Sequence, residues 1–385
     1  MRINHDRIAT IIVWSLLCVL TGIVISGYLP ARSRQPQLVA HKSAMDDILL
    51  KDYDPISSLV VPETRLLRAR YPVIDMHSHP FAANTVDVSQ WVRTMDAVGI
   101  DKTIILSGAI YSELDQVMAL YLKTYPERFI IFCGVDVNSV RHGGEAALRE
   151  LDRAYRNGVR GVGEIRDKGQ GIDMGLRLLR DDVSEPATDL HFDDVRLDPI
   201  WDKCALLHLP VSIHIADHPS AWRPPDRFQE RPPAFQIFNR FGRPGLSYSE
   251  LLSRLDLFLT RHSKTMFIVC HLANEGNDLE RLRRLMDSHP NIYIDMSARD
   301  YELGRQPRTS ASFVNDYHSR VLFGTDLGRD TDMYRAWWRL LETNDEYIRS
   351  RVWWRLYGLS LPTTTLSAIY RDAAGKLLRP TQSQQ

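Results

Sequence analysis

Eight short apolar runs, each followed by a segment with apolar residues at helical spacing, recur between residues 73 and 341. The runs end at Ile74 and then span 102–106, 129–135, 159–165, 210–216, 265–270, 292–296 and 321–324. The segments between and after them, 89–98, 113–125, 144–156, 199–207, 249–261, 279–288, 311–318 and 333–341, read as helices. Strands that alternate with helices pair in parallel through right-handed crossovers. Eight such units close into a (β/α)8 TIM barrel, an α/β fold. An open doubly wound sheet is the alternative. It calls for a Gly-rich first turn, and His77-Ser78-His79-Pro80 is not one. Residues 363–378 read as a closing helix, packed across the barrel base or against its outer ring.

The N-terminus departs from this pattern. Residues 8–29 hold no charged side chain, close to the ~20 residues that cross a bilayer. Arg2 and Arg7 precede the run, and Arg32, Arg34 and Lys42 follow it, which blunts the charge asymmetry that orients a span. An uncleaved membrane anchor is favoured over a signal peptide cleaved near Val24-Ile25-Ser26. Leu17 before Cys18 argues against a lipoprotein. Either favoured reading places the body outside the cytoplasm, periplasmic or extracellular, tethered to the membrane or secreted after cleavage. The expected organisation is an anchor or signal segment over 1–30, a Pro-punctuated linker over 31–70 and the barrel over 71–380.

Composition excludes little else. The 385 residues include 48 basic and 48 acidic side chains, so charge gives no case for a nucleic-acid partner. Cys18, Cys133, Cys204 and Cys270 contain no CxxC pair and make no disulfide framework. Buried free thiols are expected.

In a closed barrel the C-terminal strand ends converge on one mouth. The first run ends in His77-Ser78-His79. Side chains at i and i+2 leave a strand on the same side, so His77 and His79 point together, as half of a tetrahedral metal site would. Strand four ends in Glu164, strand five in His214, strand six in His271 and strand eight in Asp326. Strands two, three and seven end in Ser107, Asp136 and Ser297. Each ionisable residue has an ordinary reading alone: His214 as a hydrogen-bonded core histidine, Glu164 as a partner of Arg160 or Arg166, Asp326 as a helix N-cap. Together, these groups facing one pocket would repel or neutralise one another unless a cation held them. The six residues His77, His79, Glu164, His214, His271 and Asp326 therefore read as a metal site.

The order HxH, Glu, His, His, Asp along eight βα units resembles the amidohydrolase superfamily. The body is most similar to the amidohydrolase-related (amidohydrolase 2) group that includes aminocarboxymuconate-semialdehyde decarboxylase. The matching pieces are 73–79, 161–165, 213–214, 269–271 and 322–327, with the closing Ile369-Tyr370-Arg371-Asp372-Ala373-Ala374. The likeness spans roughly residues 71–378. It implies a divalent metal, most often zinc, one or two per chain, and an activated water. With one metal, His77, His79, His214 and Asp326 match the ligands and His271 a catalytic acid/base. With two, Glu164 matches the bridging position, and His214 and His271 serve the second ion. Asp326 is also placed to take the water's proton and pass it to a leaving group. TatD-type nucleases carry a Glu at the bridging position as well, which keeps phosphoester cleavage open.

The substrate is the least legible part. The loop after strand five offers His218, Trp222, Arg223 and Arg227, and that after strand seven offers Arg299, Glu302 and Arg305; Arg166 follows Glu164. Guanidinium groups pair bidentately with carboxylates and phosphates. Arg166, His218, Trp222 and Arg299 are thus candidate contacts for a small anionic molecule, with simple solvation of the arginines as the alternative. The leading expectation is a metal-dependent hydrolase of a C–N, C–O or lactone bond. A decarboxylase of the same group, a TatD-like phosphoesterase and a barrel kept as a binding protein are the others. A homo-oligomer is compatible with all of them.

Overall fold

A computed structural model describes residues 44–49, 52–53, 55–173, 190–227, 229–230 and 238–379. The chain divides into two units, 1–59 and 60–385. The described part of the first holds one short 3-10 turn, Ala44–Asp47.

The second unit is an α/β body of parallel strands. In chain order they are β1 Val73–Ser78, β2 Ile100–Leu106, β3 Phe129–Phe132, β4 Val162–Asp167, β5 Val211–Ile215, β6 Phe267–Val269, β7 Ile292–Asp295 and β8 Val321–Leu322. The helices that follow them are α1 Thr85–Val98, α2 Tyr111–Leu122, α3 Glu145–Arg156, α4 Asp198–Leu206, α5 Tyr248–Arg261, α6 Leu279–Ser288, α7 Pro307–Tyr317 and α8 Thr331–Glu342. One sheet runs β1-β2-β3. The other runs β4-β5-β6-β7-β8, with a two-residue antiparallel strand, Ile172–Asp173, on the outer edge of β4. Backbone hydrogen bonds join the sheets at both seams. Cys133 N–H donates to Gly161 O (3.0 Å) and Gly163 N–H to Cys133 O (2.8 Å). On the far side Met76 N–H donates to Phe323 O and Asp326 N–H to His77 O, both at 2.9 Å. The strand ends thereby face one another around a ring, which is what gathers side chains from distant parts of the sequence.

Local chemistry sets the boundaries. Asn84 Oδ1 accepts from the Val86 and Asp87 amides (2.9 and 3.1 Å), so α1 begins at Thr85, ahead of the apolar stripe that starts with Trp91. It stops at Gly99, whose φ of 94° is cheap only without a Cβ. Helix α7 starts four residues earlier than its apolar spacing suggests, because Pro307 is pre-set for a first helical turn. Ser247 and Glu250 form a reciprocal capping box at the start of α5.

Two apolar layers hold the ring. Between strands and helices, Trp91, Tyr121 and Phe129 pack with ring centroids 5.1–6.0 Å apart. Inside the ring, Ile74, Met76, Ile104, Leu106, Phe132, Ile268, Tyr293 and Leu322 form a plug that Ala373 and Ala374 close. The C-terminal helix therefore sits at the base, with a π turn over Ala368–Asp372 between Thr363–Ser367 and Ala373–Leu377. Cys133, Cys204 and Cys270 are buried and free.

The sequence expectation for the N-terminus needs correction. No helix among the described residues is long and apolar enough to cross a membrane. The tethered body outside the cytoplasm, periplasmic or extracellular, and its secreted variant, rested on residues 8–29 alone. Those residues lie outside the described part, and no described segment supplies the ~20 apolar helical residues a span requires. Placement outside the cytoplasm is accordingly withdrawn.

Candidate metal centre

Strand β1 reaches the site by breaking its own alternation. Asp75 pairs with Thr103 and Ser78 with Ile105, so β1 spends one residue more than β2 over this stretch. Such a bulge re-aims the side chains beyond it. Met76 stays with the apolar plug, while His77, the next residue, joins the ionisable cluster. His79 lies one residue past the strand end. Glu164 lies within β4 and His214 within β5. His271 and Asp326 stand beyond their strands, which end at Val269 and Leu322. Their φ values of 59° and 55° cannot continue a strand.

The six residues read from the sequence converge. His77 Nε2 lies 3.6 Å from both Glu164 Oε1 and Asp326 Oδ1. His79 Nε2 lies 3.0 Å from Asp326 Oδ1 and 3.8 Å from Glu164 Oε2. His214 Nδ1 is 2.8 Å from Glu164 Oε1, and His271 Nε2 is 3.5 Å from the same oxygen. Three sets of side chains bring donor atoms within 4.8 Å of one another: His77, His79 and Asp326; His77, Glu164 and His271; and His77, Cys270 and Asp295.

The imidazoles are oriented by what holds their other nitrogen. His77 Nδ1 donates to Asp295 Oδ2 at 2.9 Å, and His79 Nδ1 to the Leu106 carbonyl at 3.1 Å. His271 Nδ1 donates to Ser297 O at 3.0 Å. Each therefore turns Nε2 toward the cluster, the arrangement that fixes a ligating tautomer. The buried Nε2 atoms of His77 and His214 have no hydrogen-bond partner among the described residues. An unpaired buried polar atom is costly, and the His77 nitrogen, 3.6 Å from both carboxylates, fits a divalent cation by donor type and direction, while His214 turns its Nδ1 toward Glu164.

Charge in the cluster is arranged accordingly. Burial opposes ionisation of Glu164, yet His214, His271 and His77 hold its carboxyl well below the usual range. Burial likewise works against Asp326, and the charge on His77 with the hydrogen bond from His79 overcomes it downward. His214 is pushed down to about 3, first by burial and then by Lys168 and His271. It is the neutral donor to an ionised Glu164. For His77 burial favours the neutral ring, but the Asp295 carboxylate outweighs it and holds the imidazole well above its ordinary value.

Sequence reasoning missed the residues behind the ligands. Strand seven was represented by Ser297, but the charge comes from Asp295, two residues earlier and fully buried. Asp295 Oδ2 takes His77, while Oδ1 accepts from the His271 amide (3.0 Å) and the Ser297 hydroxyl (2.5 Å). A lone Asp closing the run Ile292-Tyr293-Ile294 was its signal. Asp75 also supports the site: it accepts from Thr325 Oγ1 (2.8 Å) and Tyr334 OH (2.9 Å), and burial lifts it to about 6.

The four expected substrate contacts fare differently. Arg166 is buried on β4, in register with His214. His218 is buried, with Nε2 3.1 Å from Glu302 Oε1 and Nδ1 accepting from Ser220. Arg299 is also buried, 3.2 Å from Glu302 Oε2 and bonded to Asn274. Trp222 donates Nε1–H to Leu246 O at 3.2 Å and lies 5.8 Å from Tyr248 with the rings tilted by 54°.

Comparison with known proteins agrees with this geometry. Residues 65–379 match the model of a family described as amidohydrolase. No curated protein matches the chain. Among solved structures, a putative amidohydrolase from Staphylococcus aureus is similar with 16% identity and a TM-score of 0.52, over 80% of this chain and 99% of the other. An uncharacterised TIM-barrel protein from Bordetella bronchiseptica is similar with 16% identity and a TM-score of 0.50, over 80% and 98%. A 5-carboxyvanillate decarboxylase from Sphingomonas paucimobilis is similar with 13% identity and a TM-score of 0.50, over 80% and 99%.

Proposed function

The chain belongs to the amidohydrolase family, and on that premise we propose that residues 71–380 form a metal-dependent hydrolase acting on a C–N, C–O or lactone bond of a small molecule. The observation that carries this reading is the buried, partnerless Nε2 of His77, 3.6 Å from both Glu164 Oε1 and Asp326 Oδ1, with His79 and His271 closing on the same carboxylates. Zinc is the metal this donor set suits best, since imidazole nitrogen and carboxylate oxygen are its ordinary ligands. A bound divalent metal supplies a water whose pKa falls toward ~7 and polarises the substrate oxygen.

This chain's residues do the rest. His77 and His79 present nitrogen to the ion, and Asp295 and the Leu106 carbonyl keep their rings from turning. The side chain of Asp326 is 26% exposed where its neighbours in the cluster are nearly closed off, so it is the carboxylate that substrate and water reach. It accepts a proton during attack and returns it to the leaving group. His271, held by Ser297, carries a second proton or ligates, according to whether one metal or two are bound.

Decarboxylation is the second reading, favoured by the named activity of the Sphingomonas neighbour. Purified protein loaded with zinc or manganese, offered a panel of lactones, amides and carboxylated aromatics in 18O-water, separates the two. Incorporation of 18O supports hydrolysis, and CO₂ release without it supports decarboxylation. Absence of bound metal at neutral pH would sink both.

A further inference from the structure

The turn after β6 runs through four residues in left-handed conformation. His271, Leu272, Ala273 and Asn274 have φ values of 59°, 55°, 54° and 55°. None is glycine, and each side chain except that of asparagine pays a steric cost there. Such a run persists only where its surroundings over-determine it. Leu272 and Ala273 are fully buried and offer packing alone. Asp295 and Ser297 hold His271, and the remaining polar restraint falls on Asn274. Its Nδ2 donates to Ile215 O at 2.9 Å, its carbonyl accepts from Tyr248 OH at 2.8 Å, and its Oδ1 accepts from the Arg299 guanidinium.

Arg299 is well placed for this and poorly placed to greet a substrate. It is 4% exposed. Its Nε lies 3.2 Å from Glu302 Oε2, its Nη1 donates to Ala298 O at 3.2 Å, and its Nη2 stands 3.9 Å from Asp217 Oδ1. Glu302 and Asp217 already supply the negative charge a buried guanidinium needs. The same side chain thereby ties the loop after β7 to the turn after β6 and approaches the loop after β5, which follow Ser297, His271 and His214.

We propose that Arg299 is a positioning residue: through Asn274 it latches the left-handed turn that aims His271 at the metal centre, and it does not anchor substrate. This rests on the reading of His271 as part of that centre.

The test uses the full chain loaded with zinc and needs no substrate. Amide hydrogen exchange is followed over 270–276, with α6 as the internal control, alongside the 15N ring resonances of His271 and His79. Asn274→Gly makes the left-handed conformation cheaper but removes the acceptor, Asn274→Asp keeps the acceptor for Arg299 and gives up only the Nδ2 donor to Ile215 O, and Arg299→Lys keeps the charge for Glu302 but loses the planar fork. Asn274→Gly and Arg299→Lys should speed exchange in the turn by at least ~10-fold, the scale of a lost charge-assisted hydrogen bond. The His271 resonances should shift while those of His79 and the exchange of α6 stay put. Asn274→Asp, which keeps the Arg299 contact, should exchange more slowly than Asn274→Gly. Wild-type exchange in Asn274→Gly or Arg299→Lys overturns the latch, as does exchange in Asn274→Asp as fast as in Asn274→Gly. An equal rise across α6 overturns it in favour of general stability.

Discussion

Oδ2 of Asp295 lies 2.9 Å from Nδ1 of His77, and neither residue has any exposed surface. The pair fixes which nitrogen of His77 faces the cluster, and its charge makes that ring a stronger donor to a cation. We expect Asp295→Asn to fold and to lose ~10–100-fold in metal affinity, the usual scale for removing such a partner. Competition with a chromophoric chelator measures this. Wild-type affinity in the variant would reduce Asp295 to packing.

Gly324 bears on the same histidine from the other side. A Cβ built there would stand 2.8 Å from His77 Cβ and 3.2 Å from its amide nitrogen, closer than carbon atoms pack. The seam between β8 and β1 admits no methyl group unless His77 moves. Gly324→Ala should lower the melting temperature by a strain of about 1–3 kcal/mol and weaken metal binding along with it. An unchanged melting temperature with full metal content would show that the seam can open.

Asp326 is the partly exposed carboxylate of the cluster, and it stays ionised because His77 and His79 outweigh its burial. If it carries the proton, Asp326→Asn should fold normally and lose at least ~10²-fold in turnover, the scale of general acid–base catalysis. Near-wild-type turnover on the substrate found in the screen would remove it from the mechanism.

Glu164 decides between one metal and two. Its Oε1 faces His214 and His271, while its Oε2 faces His79, so a bridge with an ion on each side is geometrically open. Two ions ~3.5–4 Å apart clamp a reacting group from both sides. Protein equilibrated with excess zinc should hold two ions per chain, and Glu164→Ala one or none, counted by elemental analysis. One ion in both proteins would refute the bridge and make His271 the acid/base instead of a ligand.

The sequence showed the ring and its ionisable strand ends because both have one-dimensional signatures. Parallel strands leave apolar runs, and a charged residue at the end of such a run stands out, as Glu164 and His214 do. What stayed hidden depends on backbone shape. The β1 bulge that lets Met76 and His77 both face inward adds one residue with no mark in the sequence. The left-handed residues just past β6, His271, Leu272 and Ala273, are not of a type that announces such a conformation. Asp295 was missed because counting stopped at Ser297, at the end of the segment rather than at its last charge. Arg299 reads as a substrate contact in the sequence, and a loop arginine gives no sign of the Asn274 and Glu302 side chains that it meets.

The last expectation concerns the mouth of β4. Asp167 is fully buried. Its Oδ1 accepts from the Gly169 amide at 2.9 Å, while Oδ2 lies 2.8 Å from His191 Nδ1 and 3.3 Å from the Phe192 amide. The hydrogen bond to Asp167 raises the His191 pKa above its ordinary value, against a smaller opposing effect of burial. A histidine whose pKa is higher folded than unfolded binds more protons in the native state, so it stabilises at low pH. That contribution is complete below about 6.5, the unfolded value, and is lost as pH rises through the folded one. Wild type should therefore melt higher than His191→Gln at about pH 6 and approach it at about pH 9. Other titrating groups are common to both proteins and cancel in the difference. A gap between the two melting temperatures that stays constant across this range would mean that His191 holds Asp167 without its proton, as a neutral hydrogen-bond donor.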